Sequence, residues 1–483
     1  MVPKQIKKID DYTWELPKDY KKGMVVPARI IATEKILNAM DDGVFEQVSN
    51  VASMPGVQKY ALCMPDGHWG YGFPIGGVAA FDAEEGIISP GSIGFDINCG
   101  MRLITTNLSY DEVKPKIKLL IDSLFKEVPS GVGSSGALKL SKKNFIEIAE
   151  NGVEWCVENG YAWKKDLEHI EDYGKISNAD MSNVSERAIK RGFNQVGTLG
   201  SGNHYLEIQV VPPENIFDKN LAQKFGIEQN KVCIMVHTGS RGFGHQIATD
   251  YLKLFGKAMN KYNLKVNDKE LACAPFQSEE GQKYFSAMAC GANMAFVNRQ
   301  IITNTLRNVF SKIFNREAED MEMNLVYDVA HNIAKVEKYK INGEIKPLIV
   351  HRKGATRSFG PGRKELPEKY QETGQPVIIG GSMETGSYLL VGTKKAEETT
   401  FGSTAHGSGR VMSRHKAKEN VRGEDVQKRM HEKGIYVRSS SMSGLAEESG
   451  SAYKNINDVV ETVHDAKISL KVAAMKPIGN IKG

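Results

Sequence analysis

The sequence predicts a mixed fold, α/β or α+β, with central β-sheets flanked by helices. Short and mostly apolar segments, several of them β-branched, are typical of buried strands and lie at residues 232–237, 348–351, 376–379 and 388–392. Apolar residues at helical spacing predict helices at about residues 245–263, 284–313, 412–433 and 456–466. The composition, 41% hydrophobic and 25% charged, is that of an ordinary folded globular protein.

The overall numbers restrict the class of protein. A length of 483 residues alone suggests about three domains. No run approaches the roughly 20 apolar residues that a membrane span needs, and the charged N-terminus has no apolar signal-peptide core. We therefore expect a cytoplasmic protein with no membrane partner. The net charge of +5, from 63 basic and 58 acidic residues, is compatible with a polyanionic partner but does not require one.

The six cysteines are scattered and form no CxxC pair, so a functional cysteine is expected to be a metal ligand or a nucleophile rather than half of a disulfide. In the segment GFDINCG, Asp96 offers a hard oxygen and Cys99 a soft thiolate, which can bridge two metal ions. Taken alone, this pair is more typical of a buried structural cysteine beside a turn-forming aspartate.

Three histidines lie where strand-like runs meet polar or glycine-rich turns. His204 follows the small residues of GTLGSGN, whose backbone amides can bind phosphate; His237 precedes the turn TGSR; and His331 ends the run VAH. A single histidine of this kind is more often a satisfied core residue than a ligand. Three of them, together with Asp96 and Cys99, would give a mixed nitrogen, oxygen and sulfur set able to hold two ions.

The segment GSTAHGSGR places His406 between glycines, immediately before an amphipathic run. Backbone amides and Arg410 there could hold a phosphate that a neutral imidazole attacks; the alternative is a glycine-rich turn with an incidental histidine. The turn at residues 380–383, followed by Ser387, offers further donors, although such turns are common. By its position alone, Lys482 is a solvated charge near the chain end.

Seven motifs in this order, GFDINCG, GTLGSGNHYLE, HTGSRGFGHQ, VAHN, IGGSM, AHGSGR and the final IKG, closely resemble the RtcB family of RNA-splicing ligases. The resemblance runs from about Met64 to the last residue and implies one compact α/β domain over residues 1–483. It implies two Mn²⁺ ions that share Cys99: Asp96, Cys99 and His204 would hold one, and Cys99, His237 and His331 the other. Ser408 stands where the family pattern has alanine, and its backbone amide remains available.

The resemblance also implies nucleotide and RNA contacts. His406 would be the catalytic residue that GTP guanylylates. The implied guanine-nucleotide contacts are Asn203, His204, Tyr205, Leu206, Glu207, His331, Asn332, Gly380, Gly381, Ser382, Met383, Ser387, His406, Gly407, Ser408, Gly409, Tyr453 and Lys482. The implied contacts to RNA phosphates are Arg191, Arg241, Lys353, Arg410 and Arg414, and Asp66 would support the metal site or an RNA end.

The implied reaction joins an RNA 2′,3′-cyclic phosphate or 3′-phosphate end to a 5′-hydroxyl end through a histidine–GMP intermediate, as in tRNA splicing and RNA repair. RNA, GTP and an archease-type activator are the implied partners. Two alternatives stay open: a metal-dependent phosphoesterase or nuclease that needs no His406, and a non-catalytic RNA-binding metalloprotein. Thiolate and imidazole ligands favour Zn²⁺ by affinity, so Mn²⁺ rests on the resemblance, and Zn²⁺ or Co²⁺ would compete with it.

Overall fold

The computed structural model describes residues 2–136 and 138–483, which form two large β-sheets, two small ones and surrounding helices. The strands are β1 (Lys7–Lys8), β2 (Thr13–Leu16), β3 (Ala28–Ile31), β4 (Ala61–His68), β5 (Ile75–Asp82), β6 (Ile87–Ile88), β7 (Gly100–Ser109), β8 (Tyr205–Val210), β9 (Lys231–Thr238), β10 (Ala274–Pro275), β11 (Leu325–Ala330), β12 (Asn332–Ile341), β13 (Glu344–Lys353), β14 (Ala355–Arg357), β15 (Pro376–Gly380), β16 (Ser387–Gly392), β17 (Ser403–Ala405), β18 (Tyr436–Ser439) and β19 (Ser469–Lys482).

The helices lie around these sheets and differ widely in length. They are α1 (Glu34–Asn38), α2 (Asp42–Val51), α3 (Tyr110–Val113), α4 (Ile117–Glu127), α5 (Lys142–Asn151), α6 (Val153–Glu158), α7 (Glu186–Gly192), α8 (Lys219–Lys224), α9 (Arg241–Lys261), α10 (Glu279–Phe314), α11 (Lys394–Thr399), α12 (Arg414–Asn420), α13 (Gly423–Glu432), α14 (Met442–Glu447) and α15 (Ile456–Asp465). Among the described residues, no helix combines the length and the apolarity that crossing a membrane requires.

The first large sheet has the strand order β1-β2-β3-β4-β5-β13-β12, and all its pairs are antiparallel except β3 with β4. Its longest hairpin joins β12 to β13 through Asn342 and Gly343, which both have positive φ (50° and 95°). An Asn-Gly pair tolerates this left-handed backbone, which fits the twist of a two-residue hairpin. The turn therefore sets the register that pairs Asn332 with Lys353.

The second large sheet has the order β11-β7-β9-β8-β19-β16-β15, and β18 runs parallel to β19 at its side. Strand β9 (KVCIMVHT) is buried at every position after the first, as expected for an apolar, β-branched strand covered on both faces. The register pairs Met101 of β7 and Tyr205 of β8 with His237 of β9, and Gly100 of β7 with Ala330 of β11. The segments that carry the predicted ligands therefore meet at one end of this sheet.

Helix α10 is the longest helix of the described chain, and most of its residues are buried. It begins where the Ser278 hydroxyl accepts a hydrogen bond from the backbone amide of Gly281 (3.1 Å) and ends at the left-handed Asn315. Buried hydrophobic side chains from Leu16 to Ile481 form one continuous core. A second cluster of six buried residues lies around α13 and α14.

The predicted mixed fold class is confirmed, although the pairing within the large sheets is mainly antiparallel. Each of the four predicted strands lies within an observed strand, and three predicted helices correspond to α9, α10 and α15. The single helix expected at about residues 412–433 is wrong, because two helices, α12 and α13, occupy this range. Val421 between them is extended (φ −144°, ψ 138°), and this breaks the helical hydrogen-bond pattern.

Candidate active site

Four predicted ligands lie at the ends of neighbouring strands of the second sheet. Cys99 precedes β7, His204 precedes β8, His237 lies near the end of β9, and His331 follows β11. The backbone amide of His331 donates to the carbonyl of Cys99 (2.9 Å), which joins two of these strand ends directly. Positions more than 200 residues apart in the chain thus become neighbours through the strand register.

Five side chains form two overlapping groups with the geometry of metal ligands. One group contains Asp96, Cys99 and His204, and the other contains Cys99, His237 and His331; within each group the ligand atoms lie within 4.8 Å of one another. Sγ of Cys99 lies 3.3 Å from Nε2 of His204 and 3.3 Å from Nε2 of His237. A thiolate shared by both groups has the position of a ligand that bridges two ions.

Nitrogen and carboxylate atoms complete the two groups. Nε2 of His237 lies 3.3 Å from Nε2 of His331, and Nε2 of His204 lies 2.9 Å from Oδ2 of Asp96. Such separations between ligand atoms are close to those around an ion with metal–ligand distances of about 2.0–2.3 Å. Oδ2 of Asp96 is buried, and its close contact with His204 lacks the geometry of a hydrogen bond. Buried polar atoms of this kind fit a bound cation.

The electrostatics of the groups also fit a cation. Burial lowers the pKa of His237 and of His331 well below the usual histidine range, so both imidazoles are neutral and have lone pairs to donate. Burial and then the Asp96 carboxylate raise the pKa of the Cys99 thiol. Without metal the thiol therefore keeps its proton, and a bound cation would have to displace it.

Buried hydrogen bonds hold the ligand segments in place. The Arg299 guanidinium of α10 donates to the carbonyls of Asn98 (2.9 Å) and Thr238 (2.8 Å), which adjoin two of the ligands. The same guanidinium forms an ion pair with Asp328 of β11. Gly239 leaves room for the metal-site carboxylate, because a Cβ atom at this position would lie 2.4 Å from Oδ2 of Asp96. The scaffold therefore fixes the ligands through backbone groups as well as side chains.

His406 lies beside the two ligand groups and is oriented by a buried carboxylate. Its ring centroid is 4.8 Å from that of His331, and its Nδ1 lies 2.6 Å from Oδ2 of Asp66 on β4. The same oxygen accepts hydrogen bonds from the backbone amides of His406 (3.0 Å) and Gly407 (3.2 Å). A carboxylate only accepts, so the ring hydrogen lies on Nδ1 and the lone pair of Nε2 is free. Asp66 thus supports His406 and belongs to neither ligand group.

A cavity joins the ligand groups, His406 and a set of polar loops. It is lined by His68, Ile75, Asp96, Cys99, Met101, Asn203, Tyr205, His237, His331, Asn332, Gly354, Gly380, Gly381, Ser382, Met383, His406, Gly407, Ser408, Gly409, Arg410, Arg414, Glu448, Tyr453 and Lys482. Two of the glycine-rich turns that line the cavity are joined by a parallel β-bridge, in which the amide of Ser408 donates to the carbonyl of Gly380 (3.0 Å). Most of the predicted nucleotide contacts therefore share one cavity.

One end of this cavity is strongly cationic around a single carboxylate. Lys482 is buried, and its Nζ lies 3.5 Å from Oε2 of Glu448, whose Oε1 lies 3.2 Å from Nη1 of Arg410. The phenol of Tyr453 donates to the same carboxylate. Sequence reasoning missed Glu448, since a Glu-Glu pair in a polar segment has no distinguishing pattern. It also missed His68, whose pKa burial lowers to about 4.

Comparison with known proteins identifies the family of the chain. The family model described as "tRNA-splicing ligase RtcB" matches residues 47–483. The chain belongs to the RtcB family. A relative from Methanococcus maripaludis is 53% identical over 99% of both chains, and one from Archaeoglobus fulgidus is 54% identical over 99% of both. A third, from Thermococcus kodakarensis, is 51% identical over 100% of this chain and 99% of its own. Each of the three carries the name tRNA-splicing ligase RtcB. The predicted family is confirmed.

Four residues that the RtcB resemblance assigned to the nucleotide are absent from the cavity lining. They are His204, Leu206, Glu207 and Ser387, and all four are buried. The carboxylate of Glu207 accepts hydrogen bonds from Asn480 (2.5 Å) and Gln209 (2.5 Å), and burial raises its pKa to about 7. Their assignment as direct nucleotide contacts stays a prediction.

The five basic residues predicted to contact RNA are placed differently from one another. Arg410 and Arg414 line the cavity, whereas Nη1 of Arg241 lies 2.9 Å from Nδ1 of His204 and Arg191 lies on the surface. Lys353 is only 3% exposed, and its ammonium donates to the carbonyls of Tyr71 (2.6 Å) and Gly91 (2.9 Å). Because these carbonyls bind it in the interior, the amine is not presented to a phosphate in the structure. Burial also lowers the pKa of Lys353 to about 7.

Proposed function

We propose that this chain is a GTP- and Mn²⁺-dependent RNA ligase that joins a 2′,3′-cyclic phosphate or 3′-phosphate end to a 5′-hydroxyl end. One observation carries the proposal: His406, with Nδ1 bound by Asp66, shares a cavity with two ligand groups that meet at Cys99. A nucleophilic imidazole next to two potential metal sites is suited to nucleotidyl transfer. A phosphoesterase that activates water on its metal ions would not need a nucleophilic histidine.

In the first step, Nε2 of His406 attacks the α-phosphorus of GTP. The new phosphorus–nitrogen bond forms as the bond to the bridging oxygen breaks, and pyrophosphate leaves with that electron pair. The ring becomes cationic, and the Asp66 carboxylate at 2.6 Å stabilises this charge while the hydrogen stays on Nδ1. The amides and cations that line the cavity hold the phosphates in line with the ring.

In the later steps, the guanylate passes to RNA. An oxygen of the RNA 3′-phosphate attacks the guanylyl phosphorus, the phosphorus–nitrogen bond breaks, and His406 is regenerated. A 2′,3′-cyclic phosphate is first hydrolysed to the 3′-phosphate: water attacks phosphorus, the bond to the 2′-oxygen breaks, and this oxygen leaves as the 2′-hydroxyl with a proton from the water. The 5′-hydroxyl of the second strand then attacks the activated 3′-phosphate, and GMP leaves. Arg410 and Arg414, at the cationic end of the cavity, are proposed to hold RNA phosphates during these steps.

The proposed metal site uses Asp96, Cys99 and His204 for one ion and Cys99, His237 and His331 for the other. These residues would hold divalent metal, which would supply neutralisation of phosphate charge for the attack at phosphorus. We propose Mn²⁺ from the resemblance, with Zn²⁺ and Co²⁺ as competitors, since thiolate and imidazole also suit those ions.

The wider role follows the same resemblance. We propose that residues 1–483 act as one ligase domain in the cytoplasm and that the RNAs are tRNA halves or broken transcripts. An archease-type protein is proposed as an activator. The nucleotide contacts are proposed for the residues named from the resemblance, with the cavity-lining members, such as Asn203, Ser382 and Lys482, having the strongest support.

Guanylylation tests the proposal directly. The protein is incubated with Mn²⁺ and GTP labelled at the α-phosphate, denatured, and examined for retained label that acid removes. We expect label on the wild type and none on His406→Ala. The matched control is His431→Ala, which alters an exposed histidine of α13 and should be labelled normally. Absence of label with Mn²⁺, Zn²⁺ and Co²⁺ would refute the ligase; RNA hydrolysis without label would identify the phosphoesterase instead.

A further inference from the structure

Three aromatic side chains form a continuous exposed stripe beside the metal-ligand cluster. The Tyr71 and Phe95 rings meet edge to face with centroids 5.1 Å apart, and Phe95 stacks on His245 at 4.9 Å and 25°. Tyr71 is 38% exposed, His245 is exposed, and Phe95 is half-buried. The exposed rings of Tyr71 and His245, which Phe95 joins, leave aromatic surface open to solvent.

The stripe is continuous with the proposed active site. Phe95 directly precedes the ligand Asp96, so its ring and the metal-binding carboxylate leave the same loop. Tyr71 lies three residues beyond His68, which lines the cavity. His245 lies in the first turns of α9, the helix that begins at Arg241. A chain that reaches the metal ligands from either end of the stripe would therefore pass over the end ring and then over Phe95.

The charge next to the stripe differs between its two ends. At the His245 end, Nη1 of Arg191 lies 3.5 Å from Nδ1 of His245, and the same short helix α7 exposes Arg187 and Lys190. At the Tyr71 end lie the carboxylates of Glu270 and Asp268, which together with burial raise the pKa of the phenol. A polyanion is favoured at the His245 end and disfavoured at the other, which gives the stripe a direction.

We propose that His245 and Phe95 stack the bases of a single-stranded RNA end, while Arg191 contacts its backbone. This inference rests on the proposed ligase function and extends it to how an RNA strand approaches the metal ligands. Aromatic faces combined with a basic track are the usual features of sequence-tolerant single-strand binding, because every base has a π-face. The strand enters over α7, crosses His245 and Phe95, and ends at the ligand cluster.

Equilibrium binding of two short RNAs, one with a 5′-hydroxyl end and one with a 3′-phosphate end, tests the proposal on the metal-loaded full chain. His245→Ala should weaken one of them by about 5- to 150-fold, the range expected for loss of a stacked base. His245→Phe, which keeps a π-face, should restore binding. Arg191→Ala should lower the slope of log Kd against log salt concentration by about 1, the change expected for the loss of one phosphate contact. The RNA that is affected identifies which strand occupies the stripe.

The matched control is His431→Ala, because His431 is also exposed and stacked on an aromatic ring, that of Tyr436 (5.4 Å, 5°). It should leave both affinities unchanged. Unchanged affinities in His245→Ala would overturn the proposal and leave a protein partner as the occupant; a His245→Phe variant as weak as alanine would also overturn it. Guanylylation by GTP is measured on every variant, so a failure of the ligase proposal is distinguishable from a failure of this surface.

Discussion

Asp66→Asn tests how much the buried carboxylate contributes to the reactivity of His406. An asparagine oxygen in the place of Oδ2 can still accept from the ring and from the backbone amides of His406 and Gly407, so the geometry should survive. What disappears is the negative charge that faces the ring when it becomes cationic. Asp66 is fully buried and His406 mostly so, which limits screening by solvent. Two unit charges about 4 Å apart interact by about 4 kcal/mol at an effective dielectric constant of about 20.

Because the neutral amide retains part of the hydrogen bond, we expect the barrier to guanylylation to rise by about 2–4 kcal/mol, which slows the step roughly 30- to 1,000-fold. The assay is single-turnover guanylylation with labelled GTP, together with metal content and GTP affinity, both of which should change little. A rate within about threefold of wild type would refute the assigned role of Asp66. Loss of bound metal in this variant would place Asp66 in the metal site instead.

Three further predictions address the metal site, the buried carboxyl and the scaffold. Cys99→Ser should lower the bound metal of both ion sites in elemental analysis, because Cys99 belongs to both ligand groups, whereas Cys233→Ser, a buried cysteine of β9, should not; two ions retained in Cys99→Ser would contradict a bridging thiolate. The pKa of Glu207 is about 7 in the folded chain and 4.5 in the unfolded chain. The free energy of unfolding is therefore unaffected by this group below pH 4.5 and falls by about 3 kcal/mol as the pH rises through 7. Glu207→Gln should flatten this decline in denaturant unfolding between pH 5 and 8, and an unchanged slope would contradict the assignment. Arg299→Ala should cost about 3–5 kcal/mol of unfolding free energy because it leaves Asp328 buried without one of its partners, whereas Lys142→Ala, from an exposed pair, should cost about 1 kcal/mol or less. Equal losses in the two variants would contradict the role of Arg299.

Much of the secondary structure follows from local pattern. The β9 and β15 strands and the long helix α10 were predictable because their apolar spacing extends over enough residues to decide between strand and helix. The break between α12 and α13 was not predictable, because the residue at the break is a valine rather than a proline or glycine. The apolar spacing is compatible with a helix on both sides of it. Tertiary packing around a small second core decides it.

The candidate site divides in a similar way. The ligand types were readable from the motifs, but the overlap of the two groups depends on strand register, which pairs Tyr205 and Met101 with His237. The pairing of Asp66 with His406 spans 340 positions, and no local spacing indicates it. The burial of Lys353 was not predictable either. A basic residue at the end of a strand looks the same in sequence whether its ammonium group faces solvent or backbone carbonyls.

The central claim is that His406 carries the guanylate, and mapping the modified peptide by mass spectrometry tests it most directly. The protein is incubated with GTP and Mn²⁺, digested without acid, and the site of the added guanylate is located by fragmentation. We expect one guanylate on His406 and its removal when RNA with a 3′-phosphate end is added. A guanylate on another residue, or none on His406 while RNA joining proceeds, would contradict the account.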